Sequence, residues 1–296
     1  MDVRVLRYFV TVAREGSVTR AANFLHVTQP TLSRQIKELE EELGSRLLVR
    51  SNYSIKLTDE GMLLRKRAED ILDLVDKTKA EFLSLHDITG GDIRIGAAET
   101  YAMDYIAEVA ENLFTQYPNI QYHLYSGNYE EVTERLDKGL LDFCLLVDPI
   151  DLAKYNQISL PAKDTWGVVM RKDSPLAEKK SIRPNDLIGL PLICSRQSLT
   201  HELSSRFGEK LDKVKVVATY NLVYNASVLV NRGIGYLLSF DRLVNTSEES
   251  NLTFRPLRPK LESSLSIVWK KYQVFSPAEE LFLMELQSMF TEIKND

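Results

Sequence analysis

Three polar residues near the start of the chain, Gln29, Ser33 and Arg34, are of types that can read a nucleic-acid base edge. Gln can make paired hydrogen bonds to adenine, Arg to guanine, and Ser can bond to a base or a phosphate. They lie in "VTQPTLSRQIKELEEELG", where Leu32, Ile36, Leu39 and Leu43 follow helical spacing. At about 100° per residue that apolar stripe faces inward. Gln29, Ser33 and Lys37, flanked by Pro30 and Arg34, are left on the other side. The competing explanation is a merely solvated helix face, because such patterns recur by chance.

The surrounding elements favour reading over solvation. Leu6, Phe9, Val10 and Ala13 make one helix face that ends at Gly16, a good residue for a left-handed cap. Ser17 then caps a second helix carrying Val18, Ala21, Ala22 and Leu25, and its two alanines let another helix come close. After the short break "HVT", Thr28 caps the third helix, whose first turn tolerates Pro30 because the missing N–H has no partner there anyway. "LLVRSNYSIKL" reads as two short strands around a turn, a wing that sets Arg50, Asn52 and Lys56 beside a phosphate backbone. Glu40 to Glu42 oppose the dipole at the far end of the third helix and are repelled by DNA, so only its first two turns should enter a groove.

Charge placement agrees. The 296-residue chain has a formal net charge of -5, yet residues 1–57 hold nine Lys and Arg against six Asp and Glu. A basic head on an acidic body fits local contact with double-stranded DNA. The first residues lack the basic-then-apolar pattern of a secretory signal, and no apolar run approaches the roughly 20 residues needed to span a bilayer, so a cytoplasmic protein without a membrane partner is expected. Cys144 and Cys194 match no disulfide framework or zinc spacing and read as small buried hydrophobes. Four scattered His, and the absence of a Gly-rich phosphate loop, HExxH or GxSxG, argue against an enzyme; no cofactor or metal is expected.

From Thr58 to about Leu85 there is no proline, and the one glycine, Gly61, lies in the first turn. Leu64, Ala68, Ile71, Val75, Thr78, Phe82 and Leu85 alternate spacings of four and three. So narrow a seam on so long a helix predicts pairing with a second copy, and a symmetric pair of reading helices would address an inverted repeat.

These residues together resemble the LysR-type transcriptional regulators. The resemblance rests on residues 6–61, "LRYFVTVAREGSVTRAANFLHVTQPTLSRQIKELEEELGSRLLVRSNYSIKLTDEG", and on "KGLLDFCLL", "RKDSPLA" and "NRGIGYLL" further along. It spans essentially the whole chain and is most specific in the head. It implies an N-terminal all-α winged helix-turn-helix (1–58) and a linker helix that dimerises (59–89). It also implies a C-terminal α/β two-lobed effector domain (90–296) resembling type 2 periplasmic binding proteins. Lobe I would cover about 90–161 and 267–296, and lobe II about 162–266. The family's usual DNA contacts map onto Gln29, Pro30, Ser33 and Arg34.

In the body, "DIRIGAA", "IQYHLYS" and "DFCLLV" are strand-like runs separated by helical stretches, an order that implies a parallel sheet. A second set follows near 166–171, 191–195, 214–220 and 234–239, and crossings near Leu160–Thr165 and Ser263–Ser266 would form a hinge. Ligands of such sheets sit beyond the strands' carboxyl ends. Those ends give Ala98, Glu99, Thr100, Gly127, Asn128 and Val147 in one lobe and Ser195, Arg196 and Tyr220 in the other. Thr100 resembles the hydroxyl by which many family members hold an effector carboxylate, and Arg196 could add an anion contact. Glu99 would disfavour an acid or receive an amino group, unless it points to solvent or pairs with Arg196. The implied partners are thus DNA, a carboxylate or amino-acid-like effector, and further copies of the chain in a dimer or tetramer. A solute-binding protein is the competing class for the body alone. A redox switch would need paired cysteines, and Cys144 and Cys194 fall on strands of different lobes.

Overall fold

The computed structural model describes residues 1–50, 55–84, 90–196 and 214–292. The first unit, Met1–Leu83, opens with α1 (Val3–Glu15), where the Asp2 carboxylate accepts from the Arg4 N–H and Gly16 closes the helix at φ 60°. α2 (Val18–Phe24) starts at Ser17, whose hydroxyl accepts from the Arg20 N–H. His26, at φ 54°, makes the turn, and the Val27 N–H donates to the Ala22 carbonyl at 3.0 Å. α3 (Gln29–Leu43) is capped by Thr28 and ends at Gly44.

Phe9, Val12, Val18, Ala21, Ala22, Leu32, Ile36 and Leu39 form the buried core between these helices. Each large side chain among them contributes about 1.5–3 kcal/mol on burial. The expected α2 and α3 stripes hold except at Leu43, which is 41% exposed. On α1 the buried set is Leu6, Phe9, Thr11 and Val12, so Val10 and Ala13 sit at its margin.

β1 (Leu48–Arg50) and β2 (Ile55–Leu57) pair antiparallel, with Leu48 opposite Leu57, Val49 opposite Lys56 and Arg50 opposite Ile55. α4 (Asp59–Ser84) follows; its 26 residues span roughly 39 Å at 1.5 Å per residue. The Thr58 hydroxyl accepts from the Gly61 N–H at 2.9 Å and donates to the Arg46 carbonyl at 2.7 Å. A Cβ on Gly61 would lie 2.1 Å from the Leu47 carbonyl oxygen, so glycine lets the helix pass the wing. Among the described residues no helix is long and apolar enough to cross a membrane.

The seam expected along α4 divides. Leu64, Ala68 and Ile71 join Leu72 in packing on Leu6 and Val10 of α1 in the same chain, and Ala68 is fully buried there. Ala68 is therefore taken up by the chain's own head, while Leu64 and Ile71 are only half-buried against it. Leu72 joins the stripe because it lies four residues, about one helical turn, after Ala68. Val75 is half-buried and Phe82 is 70% exposed.

In the second unit, Ser84–Asp296, β3 (Gly90–Ala97), α5 (Met103–Gln116), β4 (Asn119–Ser126), α6 (Tyr129–Asp137) and β5 (Phe143–Val147) come first, with β3 parallel to both other strands. β6 (Tyr155–Arg171) leads to β7 (Pro191–Ser195), β8 (Lys215–Tyr220), α7 (Val223–Asn231), β9 (Tyr236–Phe240) and β10 (Leu252–Pro256). β11 (Glu262–Lys270) returns, and Phe282 and Leu286 of α8 (Pro277–Glu292) pack with Phe143 and Ile93 in the first lobe's core. The sheet order is β4-β3-β5-β11-β6-β9-β7-β8, with β10 beside β6.

β10 was not foreseen; it lays Phe254 over Gly167, where a Cβ would come within 2.1 Å of the ring. β7 is parallel to β8 and β9, but β6 runs antiparallel to β9. The two crossings expected between lobes fall within β6 and β11, which pair with each other there. Between Ser264 and Ser266 the register shifts, so that Ser264 faces Lys163 and Ser266 faces Ser159. Pro161, which has no N–H to give a ladder, lies in the skipped stretch of β6.

Candidate functional site

Two sites emerge, one in each unit. On α3, Thr28, Gln29, Pro30, Arg34 and Lys37 are exposed and Ser33 is half-buried. The Thr28 hydroxyl caps the helix and meets the Thr31 hydroxyl at 2.8 Å. No carboxylate occurs from Gln29 to Lys37, so the unpaired N–H groups and positive dipole end of α3 are open to an anion. Arg34 donates to Glu38 at 2.7 Å, and Lys37 lies 3.4 Å from Glu41. Both are exposed pairs one turn apart, which a phosphate or base can replace at little cost.

Lys56 is exposed on β2 opposite Val49. Arg50 is placed by its backbone in β1, while Asn52 lies outside the described residues. The acidic run is less idle than its sequence suggested. Glu40 accepts from the Leu47 and Leu48 N–H groups at 2.8 and 3.1 Å, tying the wing to α3. Glu42 meets the N-terminal ammonium at 2.5 Å.

The second site is a cavity of about 610 Å³ beyond the carboxyl ends of the parallel strands, within the usual range for small-molecule sites. Ala98, Glu99, Gly127, Asn128, Val147, Ser195, Arg196 and Tyr220 all line it. Thr100 does not. It is 6% exposed; its hydroxyl donates to Asp164 at 2.5 Å and accepts from the Ala102 N–H at 3.0 Å. Burial raises the Asp164 carboxyl above its ordinary value, opposed by the Thr100 bond and by Arg242.

Glu99 reaches neither solvent alone nor Arg196: its carboxylate accepts from the N–H of Val223, the first residue of α7. Leu222, the residue before that helix, provides no side-chain cap. Burial pushes the Glu99 carboxyl up, and the Val223 bond works against that shift. The Asn128 side chain is occupied in capping α6, accepting from the Glu131 N–H at 2.9 Å. The Tyr220 hydroxyl donates to the Leu238 carbonyl at 2.8 Å, and burial holds its phenol above the ordinary value.

Sequence reasoning missed Trp166, Ser239 and Phe240, which also line the cavity. The Trp166 and Phe240 rings lie 4.3 Å apart, and the Trp166 indole N–H donates to Ser263 at 3.0 Å. Ser239 and Phe240 were reachable by the same strand-end rule, since β9 is parallel to β7. Trp166 left no comparable mark. Both cysteines are fully buried; desolvation pushes the Cys194 thiol up to about 12 and raises Cys144 as well. Burial thus works against the thiolate that oxidation requires at both.

Comparison with known proteins identifies both units. Residues 3–62 match the model of the bacterial regulatory helix-turn-helix protein, lysR family, and residues 86–291 match that of the LysR substrate binding domain. The chain belongs to the LysR family. It is 28% identical to the uncharacterized HTH-type transcriptional regulator YybE of Bacillus subtilis (strain 168), over 99% of this chain and 100% of the relative. It is also 28% identical to the Hca operon transcriptional activator HcaR of Escherichia coli (strain K12), over 99% of both chains.

Among solved structures, full-length CbnR complexed with its target DNA superposes with a TM-score of 0.74 at 20% identity, covering 97% of this chain and 99% of that one. Full-length BenM gives 0.54 at 25% identity, covering 99% and 98%. The protein is thus a DNA-binding transcriptional regulator with an effector-binding domain, not an enzyme. Regulators of this family bind DNA and small-molecule effectors and form oligomers.

Proposed function

We propose that the protein reads an inverted-repeat operator as a dimer or tetramer and is controlled by a carboxylate or amino-acid-like metabolite held between its lobes. Gln29, Ser33 and Arg34 carry the base contacts; Thr28, Pro30, Lys37, Arg50, Asn52 and Lys56 position the backbone. The observation that supports this most is the exposed, carboxylate-free start of α3. The head is residues 1–58, the linker 59–89 and the effector domain 90–296, working in the cytoplasm.

Because α1 of the same chain covers Ala68, the seam left for a second copy is the half-buried Leu64, Ile71 and Val75 together with the far end of α4. There Phe82 and Leu74, both exposed, lie two turns apart. Effector binding biases the lobes toward one arrangement, and its influence on DNA binding is limited by its differential affinity for the two states.

Fluorescence anisotropy on a duplex carrying the inverted repeat from its own promoter region tests the residue assignment. Gln29→Ala with Arg34→Ala should cost roughly 2–6 kcal/mol of specific binding, the scale of two lost bidentate contacts. Undiminished discrimination between this duplex and a scrambled one would sink it.

A further inference from the structure

The charges around the cavity argue against a plain carboxylate as its ligand. Among the described lining residues there are three carboxylates, Glu99, Glu130 and Glu131, and one cation, Arg196. The natural seat for an anion is the start of α7, where the N–H groups lack a side-chain cap. That seat is already filled, because Glu99 reaches it from the other lobe and accepts from Val223.

The residues that follow hold Glu99 there. Thr100 is tied to Asp164 of β6, and the Tyr101 ring lies under the Arg242 guanidinium, 4.7 Å from its centroid. Three consecutive residues are thus fastened to the second lobe or to the strand that leads into it. Arg242 is committed to Tyr101 and offsets the Asp164 charge. An incoming carboxylate would have to evict Glu99 and then share a partly desolvated space with it. An ammonium meets a carboxylate already in place, with the charge-assisted hydrogen bonds that such a pair forms.

We propose that the cavity selects a ligand bearing an ammonium group, and that Glu99 is the residue that sets this specificity. Arg196 takes an anionic end where the ligand has one, so the class extends from amines and diamines to amino-acid-like zwitterions and excludes acids without an amine. This rests on the reading of the cavity as the effector site. Glu99→Gln suits the test because the amide can still accept from Val223 while its charge is gone.

Isothermal titration calorimetry on the full-length protein would compare free amino acids and α,ω-diamines with carbon-matched mono- and dicarboxylates. The wild type, Glu99→Gln and the cavity-filling Ala98→Trp would each be titrated, with thermal melts to confirm folding. Saturable heat should come from amine-bearing probes, fall at least tenfold in Glu99→Gln and vanish in Ala98→Trp. Acids that bind the wild type, are blocked by Ala98→Trp and bind no worse in Glu99→Gln would overturn the ammonium assignment while leaving the effector site intact. Amine binding that persists in Ala98→Trp would instead break the cavity reading itself. No saturable binding by any amine probe up to millimolar concentration also overturns the proposal.

Discussion

Two helix starts in this molecule carry the same physics and opposite fates. α3 begins with exposed N–H groups, a hydroxyl cap at Thr28 and no acidic residue until Glu38. α7 begins without a side-chain cap, and a carboxylate from 124 residues away, Glu99, is laid on it. Both ends attract negative charge. The first is left open and is the end we propose faces DNA; the second is closed by the chain itself. A helix N-terminus therefore says little about function until one knows what the fold sets against it.

The comparison can be broken by closing the open end. Ser33→Glu puts a carboxylate among the reading residues and should cost about 1–3 kcal/mol or more of specific DNA affinity by anisotropy, through a lost contact and phosphate repulsion. Near-normal binding would mean that this turn does not enter the groove. Opening the closed end should matter less. Glu99→Ala strips the Val223 N–H of its acceptor and should lower stability by about 1–2 kcal/mol in denaturant melts, whereas Glu99→Gln should stay close to the wild type.

A smaller effect is expected at the margin of the open end. Glu38→Gln removes the exposed partner of Arg34 and should raise DNA affinity a few-fold at low salt, with the gain fading as salt rises. Unchanged affinity would show that Arg34 is not engaged there. Peroxide should leave DNA binding unaltered, since Cys144 and Cys194 are buried and hold their protons. A peroxide-dependent shift would bring back the redox reading.

Much of this fold was legible before any coordinates. Caps at Ser17, Thr28, Gly16 and Gly44 bound the head's helices, and the strand-like runs of the body fall within a few residues of β3, β4, β5, β7, β8 and β9. These are local signals, because a cap or an alternating run acts over one or two turns of chain. The misses have a common form. The pairing of β10 with β6, the cover on Ala68 and the inward turn of Thr100 all depend on a partner distant in sequence. Such contacts impose no period.

The sequence by itself determined which helix could read a base edge, which strand ends would frame a cavity, and that the chain resembles the LysR regulators. Residue type, spacing and local caps suffice for those. Only the tertiary structure decided that Ala68 of the α4 stripe is spent on the chain's own head, that the Thr100 hydroxyl is given to Asp164, and that Glu99 occupies the start of α7. A side chain's chemistry is written in its residue type, but whether that chemistry is still available depends on what folding brings beside it.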